Sequence, residues 1–253
     1  MQLRSILFIF ASALATTAVA SPLGQRCGPG SDTAGPDHAS PTTTSVNYVL
    51  PSTGGATSLP APDAPLKRIA VGHGVQNYTC TTAGAKGSAN GALAVLYDVT
   101  ALYPGSGFRA LSPADWDVLT SRVLRATAQP ITPGGSPSPF PPPSDLWVPG
   151  VRGGPIRYLG HHFFDENNTP TFALRDNAGL FKGKKLANVT APANADRGLN
   201  GEGAVDWLYL GDKGGSVGVS KVYRVLTAGG SPGVCNSVGG SQSVAYTAMY
   251  WMY

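Results

Sequence analysis

The sequence predicts a mainly β fold, either an antiparallel β-sandwich or a flattened barrel, with one short helix and long loops rich in proline and glycine. Three observations support this prediction. The 253 residues include 33 glycines and 22 prolines, which indicates many turns. Short apolar segments of strand length lie between the turns. The last of them, residues 244–253, is apolar or aromatic on both faces, so it belongs inside a sandwich or barrel.

The segment 1–20 has the pattern of a signal peptide and is not part of the predicted fold. Arg4 supplies the positive start, residues 6–15 form the apolar stretch, and the small residues 18–20 form the cleavage signature. Cleavage there leaves Ser21 first, and the protein is expected to be secreted and extracellular. No other run approaches the ~20 apolar residues of a membrane helix, so no membrane span is expected.

Three glycosylation sequons agree with secretion. Asn77, Asn167 and Asn188 are each followed two positions later by threonine, without proline between them. We therefore expect a glycoprotein with these asparagines at its surface. Pro170 lowers the expected use of Asn167.

The remaining chain divides into an arm and one domain. Residues 21–65 are rich in Ser, Thr, Gly and Pro, which predicts an extended arm lying over the domain surface. Residues 66–253 are enough for a single β domain with a full core. Within the first strand, Gly72 and Gly74 indicate a bulge or a close backbone approach. Seven or eight strands are predicted, at residues 69–80, 92–99, 157–164, 171–174, 183–189, 204–210, 219–226 and 244–253.

One helix is predicted, over residues 112–125. Ser112 suits the N-cap and Pro113 suits the first helical position. The stripe expected to face the core consists of Trp116, Leu119 and Val123.

A proline-rich loop is predicted at residues 130–149, where eight prolines occur. Because proline lacks a backbone N–H, this stretch cannot be regular strand or helix. It is expected to be a polyproline-like excursion or a disordered surface loop.

The cysteine count is odd, with Cys27, Cys80 and Cys235. An oxidising compartment favours one disulfide and one leftover thiol. Pairing Cys27 with Cys235 would hold down the N-terminal arm, and pairing Cys80 with Cys235 is the alternative. Nothing in the sequence places a base beside Cys80, as a catalytic thiol would require.

A series of motifs from about residue 66 to the C-terminus resembles a secreted family that occurs chiefly in fungi. The family's domain has no known function, and its members are often labelled malate dehydrogenase by automatic transfer. His162 matches the histidine that recurs in the family. The motifs, in order, are Gly74-Val-Gln-Asn-Tyr-Thr-Cys80, Leu96-Tyr-Asp98, Leu159-Gly-His-His-Phe163, Val205-Asp-Trp-Leu208, Val222-Tyr-Arg-Val225, Gly229-Gly230 through Cys235, and 246–253.

The resemblance also bears on the disulfide. Ala101 stands where many fungal members carry a cysteine. If that missing cysteine is the usual partner of Cys80, then Cys80 is the free thiol in this chain. The resemblance therefore implies a disulfide between Cys27 and Cys235.

Several functional classes do not fit the sequence. The net charge of +4 is spread out, without the interleaved basic and aromatic residues of a nucleic-acid platform. No glycine-rich turn leads into a helical pattern, so NAD-dependent oxidoreduction is excluded and no cofactor is expected. The segment 229–233 matches G-x-S-x-G. Pro232 follows its Ser231, however, and has no N–H to donate to an oxyanion.

Metal ligation is not expected either. His161 and His162 are neighbours in a predicted strand and so point to opposite faces. Neither H-E-x-x-H nor paired C-x-x-C occurs. A hydrogen-bonded core histidine is therefore the preferred interpretation of His162.

Five residues are candidates for a polar centre, as catalytic groups or as structural partners. Asp98 and Asp206 lie at predicted strands, where an inward carboxylate needs a partner. Arg224 is the natural counter-ion, and a structural salt bridge is preferred over an acid/base pair. The other two candidates are Gln76 and His162.

Two functional hypotheses follow. The first is a secreted, non-catalytic and monomeric β domain with a binding or structural role at the cell surface or wall. Exposed aromatic residues would contact carbohydrate there, with Trp147, Tyr158 and Trp207 as candidates. The second is a secreted enzyme of unassigned reaction with its polar centre around His162 and Arg224. We prefer the first, because no complete catalytic geometry is visible.

Overall fold

The protein is described from a computed structural model, which describes residues 46–55 and 57–253. The segment 1–20 predicted as a signal peptide lies outside the described residues, as do residues 21–45 of the predicted arm, which include Cys27. In the described part no helix is both long enough and apolar enough to cross a membrane.

Eight antiparallel strands form a closed barrel in which each strand pairs with its neighbours in the sequence. The last strand pairs with the first and closes the sheet, from Arg68 opposite Met252 to Thr79 opposite Ser241. The mainly β prediction is confirmed, and of the two predicted architectures the barrel is found. The strands are β1 (Arg68–Thr79), β2 (Ser88–Asp98), β3 (Arg157–Phe164), β4 (Pro170–Leu174), β5 (Gly179–Val189), β6 (Trp207–Asp212), β7 (Lys221–Gly229) and β8 (Ser241–Met252).

The barrel has an apolar core on each side of its wall, because side chains of a strand alternate between two faces. On β8, Tyr250 and Met252 face the barrel interior, whereas Met249 and Trp251 face outward; all four are at most 1% exposed. The prediction that this strand is buried on both faces is confirmed. The outer core lies beneath the helices, the proline-rich loop and the N-terminal segment.

Two helices, α1 (Pro113–Asp117) and α2 (Leu119–Ala126), occupy the predicted helical segment. The Oγ atom of Ser112 accepts a hydrogen bond from the N–H of Asp115 at 3.1 Å, as expected of an N-cap. The segment is broken at Val118, whose φ of −101° and ψ of 5° are not helical. The predicted stripe is nevertheless buried at all three positions: Trp116, Leu119 and Val123.

The proline-rich loop 130–149 packs against the outside of the barrel. It contains no helix or strand, as predicted, although Leu146 forms an isolated bridge with Ile156. Phe140 stacks on His161 with ring centroids 3.9 Å apart, and Val148 is buried in the outer core. These contacts dock the loop onto the barrel.

The described part of the N-terminal arm also covers the outer core. Tyr48 packs on Tyr103 at a centroid distance of 4.8 Å, and its neighbour Val49 donates its N–H to the Tyr103 hydroxyl. Leu50 and Leu59 are partly buried against the same core. The apolar residues of the arm therefore lie on the domain surface.

The disulfide joins Cys80 to Cys235, with their Cα atoms 5.6 Å apart. The predicted pairing of Cys27 with Cys235 is therefore wrong, and the alternative is correct. The reason is the β1–β8 pairing, which brings the end of β1 next to the loop before β8. The N–H of Cys80 donates to the Gly240 carbonyl, and the N–H of Cys235 donates to the Ala85 carbonyl.

Candidate functional site

A cavity of about 510 Å³ occupies one end of the barrel interior. It lies at the end where β1 finishes and β6 begins, so its walls come from several strands. Apolar side chains form most of the wall, and a few polar groups converge on it. The residues lining it are Gln76, Tyr78, Ala89, Ala92, His162, Phe164, Pro170, Lys185, Ala204, Val205, Asp206, Leu208, Leu210, Arg224, Ser231 and Tyr250.

The far end of the barrel is filled with aromatic rings, which form the floor of the cavity. Phe172 is central: its ring lies 4.1 Å from that of His162, 5.0 Å from Tyr250 and 5.9 Å from Phe181, measured between centroids. Gly72 makes room for this packing, because a Cβ atom there would lie 2.5 Å from Cε2 of Tyr250. The small residue on β1 thus admits the large ring on β8.

Arg224 carries a buried positive charge into the cavity wall and is 9% exposed. Its Nε and Nη2 atoms both donate to the backbone oxygen of Asp206, at 3.1 and 2.9 Å. In residues 46–55 and 57–253 no carboxylate lies within 4.0 Å of its guanidinium. The predicted salt bridge of Arg224 with Asp98 or Asp206 is therefore wrong. A main-chain oxygen takes the place of the expected carboxylate.

His162 lines the cavity as a neutral imidazole. Its Nδ1 lies 2.9 Å from the backbone oxygen of Thr171, which can only accept, so Nδ1 carries the proton. Burial lowers the pKa of His162 to about 4. The other ring nitrogen, Nε2, is then an acceptor at neutral pH. His161 points to the opposite face, where it stacks on Phe140, as predicted for strand neighbours.

Three tyrosines bring hydroxyl groups to the interior. Tyr78 donates to the Gly230 carbonyl at 2.6 Å, and the hydroxyls of Tyr246 and Tyr250 lie 2.8 Å apart. Burial raises the pKa of Tyr78 to about 12 and that of Tyr246 well above its ordinary value. All three hydroxyls therefore keep their protons at neutral pH and remain hydrogen-bond donors.

Gln76 has an unsatisfied donor in this cavity wall. The residue is 6% exposed, and its Nε2 atom has no hydrogen-bond partner among the residues that the structure describes. Leaving a buried amide N–H unpaired costs about 1 to 3 kcal/mol. Such a group in a cavity wall is a natural contact for a ligand acceptor.

The structure brings four of the five predicted polar residues to one place. Gln76, His162, Asp206 and Arg224 all line the cavity, whereas Asp98 does not. Asp98 instead pairs with Arg68 at 2.9 Å, where β1 begins and β2 ends, which is the end of the barrel away from the cavity. Sequence reasoning missed three polar residues of the lining: Tyr78, Lys185 and Tyr250. Of these, Tyr78 could have been found, because it lies two positions after Gln76 on β1 and so shares its face. Ser231, which also lines the cavity, had been considered only as part of the G-x-S-x-G match.

The exposed aromatic surface expected from the sequence is only partly present. Trp207 is 2% exposed and belongs to the outer core, so its proposed role as a surface contact is wrong. Tyr158 is partly buried and packs near His161. Trp147 is 72% exposed. Of the three candidates only Trp147 exposes most of its ring, so they do not form a carbohydrate platform.

The three sequon asparagines lie at different depths. Asn167 and Asn188 are exposed, in the β3–β4 turn and on β5. Asn77 is partly buried on β1, and its side-chain oxygen accepts a hydrogen bond from Ser243 at 2.8 Å. Asn188 donates to a carboxylate oxygen of Asp206 at 2.9 Å.

The cavity is lined by the residue types of a hydrolytic site, but they are not arranged as such a site requires. Ser231, His162 and Asp206 all line it, yet no hydrogen bond joins any two of these side chains in the part of the chain described. Nor do three His, Cys, Asp or Glu side chains there come together in a way that could hold a metal ion.

Comparison with known proteins identifies a family. The model of the family described as "Protein of unknown function (DUF3455)" matches residues 60–253, and the chain belongs to this family. The expected resemblance to a family of unknown function is confirmed at that level. No curated protein and no solved structure matches the chain significantly.

Proposed function

We propose that this protein is an exported, non-catalytic barrel that binds a small molecule in its interior cavity. The observation that carries the proposal is Gln76, a buried side chain whose amide donor is unsatisfied in the wall of that cavity. A polar group kept unpaired in an apolar wall reduces stability unless a ligand accepts from it. A leucine at position 76 would fill a similar space without leaving a donor unpaired.

The size and composition of the cavity agree with ligand binding. A volume of about 510 Å³ falls within the roughly 300 to 1,000 Å³ of small-molecule sites. Such sites are mostly apolar with a few placed polar groups, which describes this wall. Eight-stranded closed barrels have an interior of the width that can hold one small ligand.

The rest of the proposal concerns where the protein works. The signal-peptide pattern of residues 1–20 and the sequons at Asn167 and Asn188 support export, and a monomer is the expected form. Binding within the barrel replaces the hypothesis of wall carbohydrate held by surface aromatics. A role at the cell surface or wall would then be delivery or storage of the bound molecule.

A catalytic role for the same cavity is the second candidate. It is favoured by the presence of His162, Asp206 and Arg224 on one wall. Binding is favoured over it because the described residues form no hydrogen-bonded pair of nucleophile and base there, which catalysis of that type requires.

Fluorescence titration with N-phenylnaphthylamine, a neutral dye that brightens in apolar surroundings, tests the proposed function. We expect saturable binding at one site per chain, abolished by Ala89→Trp. Ala89 is exposed at the cavity mouth and lines the cavity, so a large side chain there narrows the entrance. Ala114→Trp is the matched control, since Ala114 is exposed on α1, away from the cavity.

Equal dye binding by the protein and by Ala89→Trp, or no binding by either, would overturn the proposal. Turnover of a bound compound, lost in His162→Ala, would establish the second candidate in place of the first.

A further inference from the structure

The guanidinium of Arg224 has more donors than the protein uses. Arginine presents five N–H groups, and two of its nitrogens share one acceptor, the Asp206 carbonyl. The guanidinium also lies next to the Tyr250 hydroxyl, and no carboxylate in the described part of the chain pairs with it. A buried guanidinium without a carboxylate partner is costly, and a bidentate carboxylate is the group that suits it best.

The other polar groups of the cavity leave an excess of donors as well. Gln76 contributes its unpaired Nε2. Tyr246 and Tyr250 share one hydrogen bond between two hydroxyls, so one of their protons is left to donate. Tyr78 and His162 are already bonded to main-chain oxygens. His162 Nε2 and the Asp206 carboxylate are acceptors that line the cavity, but neither accepts from the side-chain donors of Arg224 or Gln76.

The charges that line the cavity favour a ligand with a single negative charge. Arg224 and Lys185 are positive, Asp206 is negative, and His162 is neutral. The carboxylate of Asp206 is half-buried and accepts from the neutral amide of Asn188 at 2.9 Å, which leaves its negative charge unchanged. One excess positive charge remains, which a monoanion would neutralise.

Apart from the Ser231 side chain, the remaining wall is hydrocarbon. Ala92, Phe164 and Leu208 line it, and Val205 and Leu210 extend the apolar surface. A ligand that is charged throughout would leave this surface in contact with polar atoms. The wall therefore favours a molecule with one anionic end and an apolar body.

We propose that the cavity binds an amphipathic monocarboxylate whose carboxylate contacts Arg224 and Gln76 and whose hydrocarbon body lies against Ala92, Phe164 and Leu208. This inference rests on the proposed function and adds the ligand's chemical class. The free donors of Arg224 and Gln76 take the two carboxylate oxygens. The hydroxyl pair of Tyr246 and Tyr250 offers a third donor.

Calorimetric titration of the full secreted chain at pH 7 with decanoate and decanol tests this inference. The two probes share a hydrocarbon chain and differ in charge. We expect decanoate to bind about tenfold or more tightly than decanol, the usual worth of a hydrogen-bonded charge. Arg224→Gln should abolish this preference while decanol still binds. Lys184→Gln is the matched control, because it removes an equal charge from an exposed position of β5 outside the cavity.

The outcomes separate the two proposals. Equal affinity for decanoate and decanol would overturn the monocarboxylate inference and leave small-molecule binding standing. If decanoate, decanol and the neutral dye all fail to bind, the proposed function itself is overturned. If Arg224→Gln does not fold, Gln76→Leu serves instead, because it removes the unpaired amide donor at similar side-chain size and without a change of charge. It should weaken decanoate binding and leave decanol binding unchanged, and equal effects on the two would contradict the inference.

Discussion

Arg224 donates two hydrogen bonds to the backbone oxygen of Asp206 and none to that residue's carboxylate. This arrangement holds the guanidinium against the residue that precedes β6 without neutralising it. A salt bridge to a carboxylate would have neutralised Arg224 and left it with a purely structural role. With a carbonyl as its protein partner, the arginine stays available to an anion in the cavity.

The disulfide between Cys80 and Cys235 should make a large contribution to stability. A bridge across 155 residues restricts the unfolded chain strongly, and loss of a native bridge typically costs about 2 to 5 kcal/mol. We expect a loss in that range for the double variant Cys80→Ala/Cys235→Ala, measured by urea unfolding. Reduction of the unaltered protein should produce a similar shift. Recovery of a Cys27–Cys235 peptide after non-reducing digestion would refute the observed pairing.

Leu119 tests the packing of α2 against the barrel. It is fully buried in the outer core, so Leu119→Ala should destabilise the protein by about 2 to 5 kcal/mol. Leu199→Ala is the matched control, since Leu199 is 57% exposed and its truncation should change stability by no more than about 0.5 kcal/mol. Chemical unfolding of both variants gives the comparison. Similar losses at the two sites would show that α2 does not seal the core.

Gly74 tests the closure of the barrel. A Cβ atom at this position would lie 1.8 Å from the backbone oxygen of Leu93, and a main-chain atom in a sheet cannot move aside. Gly74→Ala should therefore destabilise by more than about 4 kcal/mol or prevent folding. Gly55→Ala is the control, because its Cβ would meet only Thr53 Oγ1 at an ordinary 3.5 Å. Circular dichroism melts of the two variants decide the matter, and a folded Gly74→Ala protein of unchanged stability would contradict the strand register.

His73 should make stability depend on pH between about 4 and 6.5. Burial lowers its pKa to about 4, whereas an unfolded histidine titrates near 6.5. Between these values the unfolded chain binds the extra proton, so stability is complete above pH 6.5 and falls as the pH drops toward 4. The loss is on the order of 3 kcal/mol for one such histidine. His162, with the same pKa direction and value, adds to it.

The variant His73→Asn isolates this contribution. Nδ1 of His73 lies 3.2 Å from Thr127 Oγ1, whose own proton goes to the Val123 carbonyl, so the histidine is the donor. Asparagine can keep that donor without titrating. Urea unfolding at several pH values should show a slope reduced by up to about 1.4 kcal/mol per pH unit below 6.5. Parallel curves for the variant and the unaltered protein would show that His73 titrates normally.

Much of the fold could be predicted from the sequence, because period-two alternation and glycine- or proline-rich turns are local signals. All eight predicted strand segments overlap strands of the structure, and Ser112 begins the helical segment. The choice of a barrel over a sandwich was not predictable, since it depends on β8 pairing with β1 across the whole domain. The pairing of Cys80 with Cys235 follows from that same non-local contact.

The candidate site was harder to predict. Composition singled out Gln76, His162, Asp206 and Arg224, and they do line one cavity. The errors concerned partners: Asp98 pairs with Arg68 on the neighbouring strand and does not line the cavity, and Arg224 donates to a carbonyl where a carboxylate was expected. A sequence shows which residues can carry a charge, but it does not show whether a charged side chain will bind a carboxylate or a backbone oxygen.

The pairing of β8 with β1 also bears on how the protein must fold. The closed sheet leaves no strand edge free to recruit another chain. Before β8 docks, however, β1 and β7 each expose a row of unpaired backbone groups along a hydrophobic surface. Partners so remote in sequence imply a high contact order and slow closure. The newly made chain is therefore most prone to aggregate in the interval before its last strand arrives.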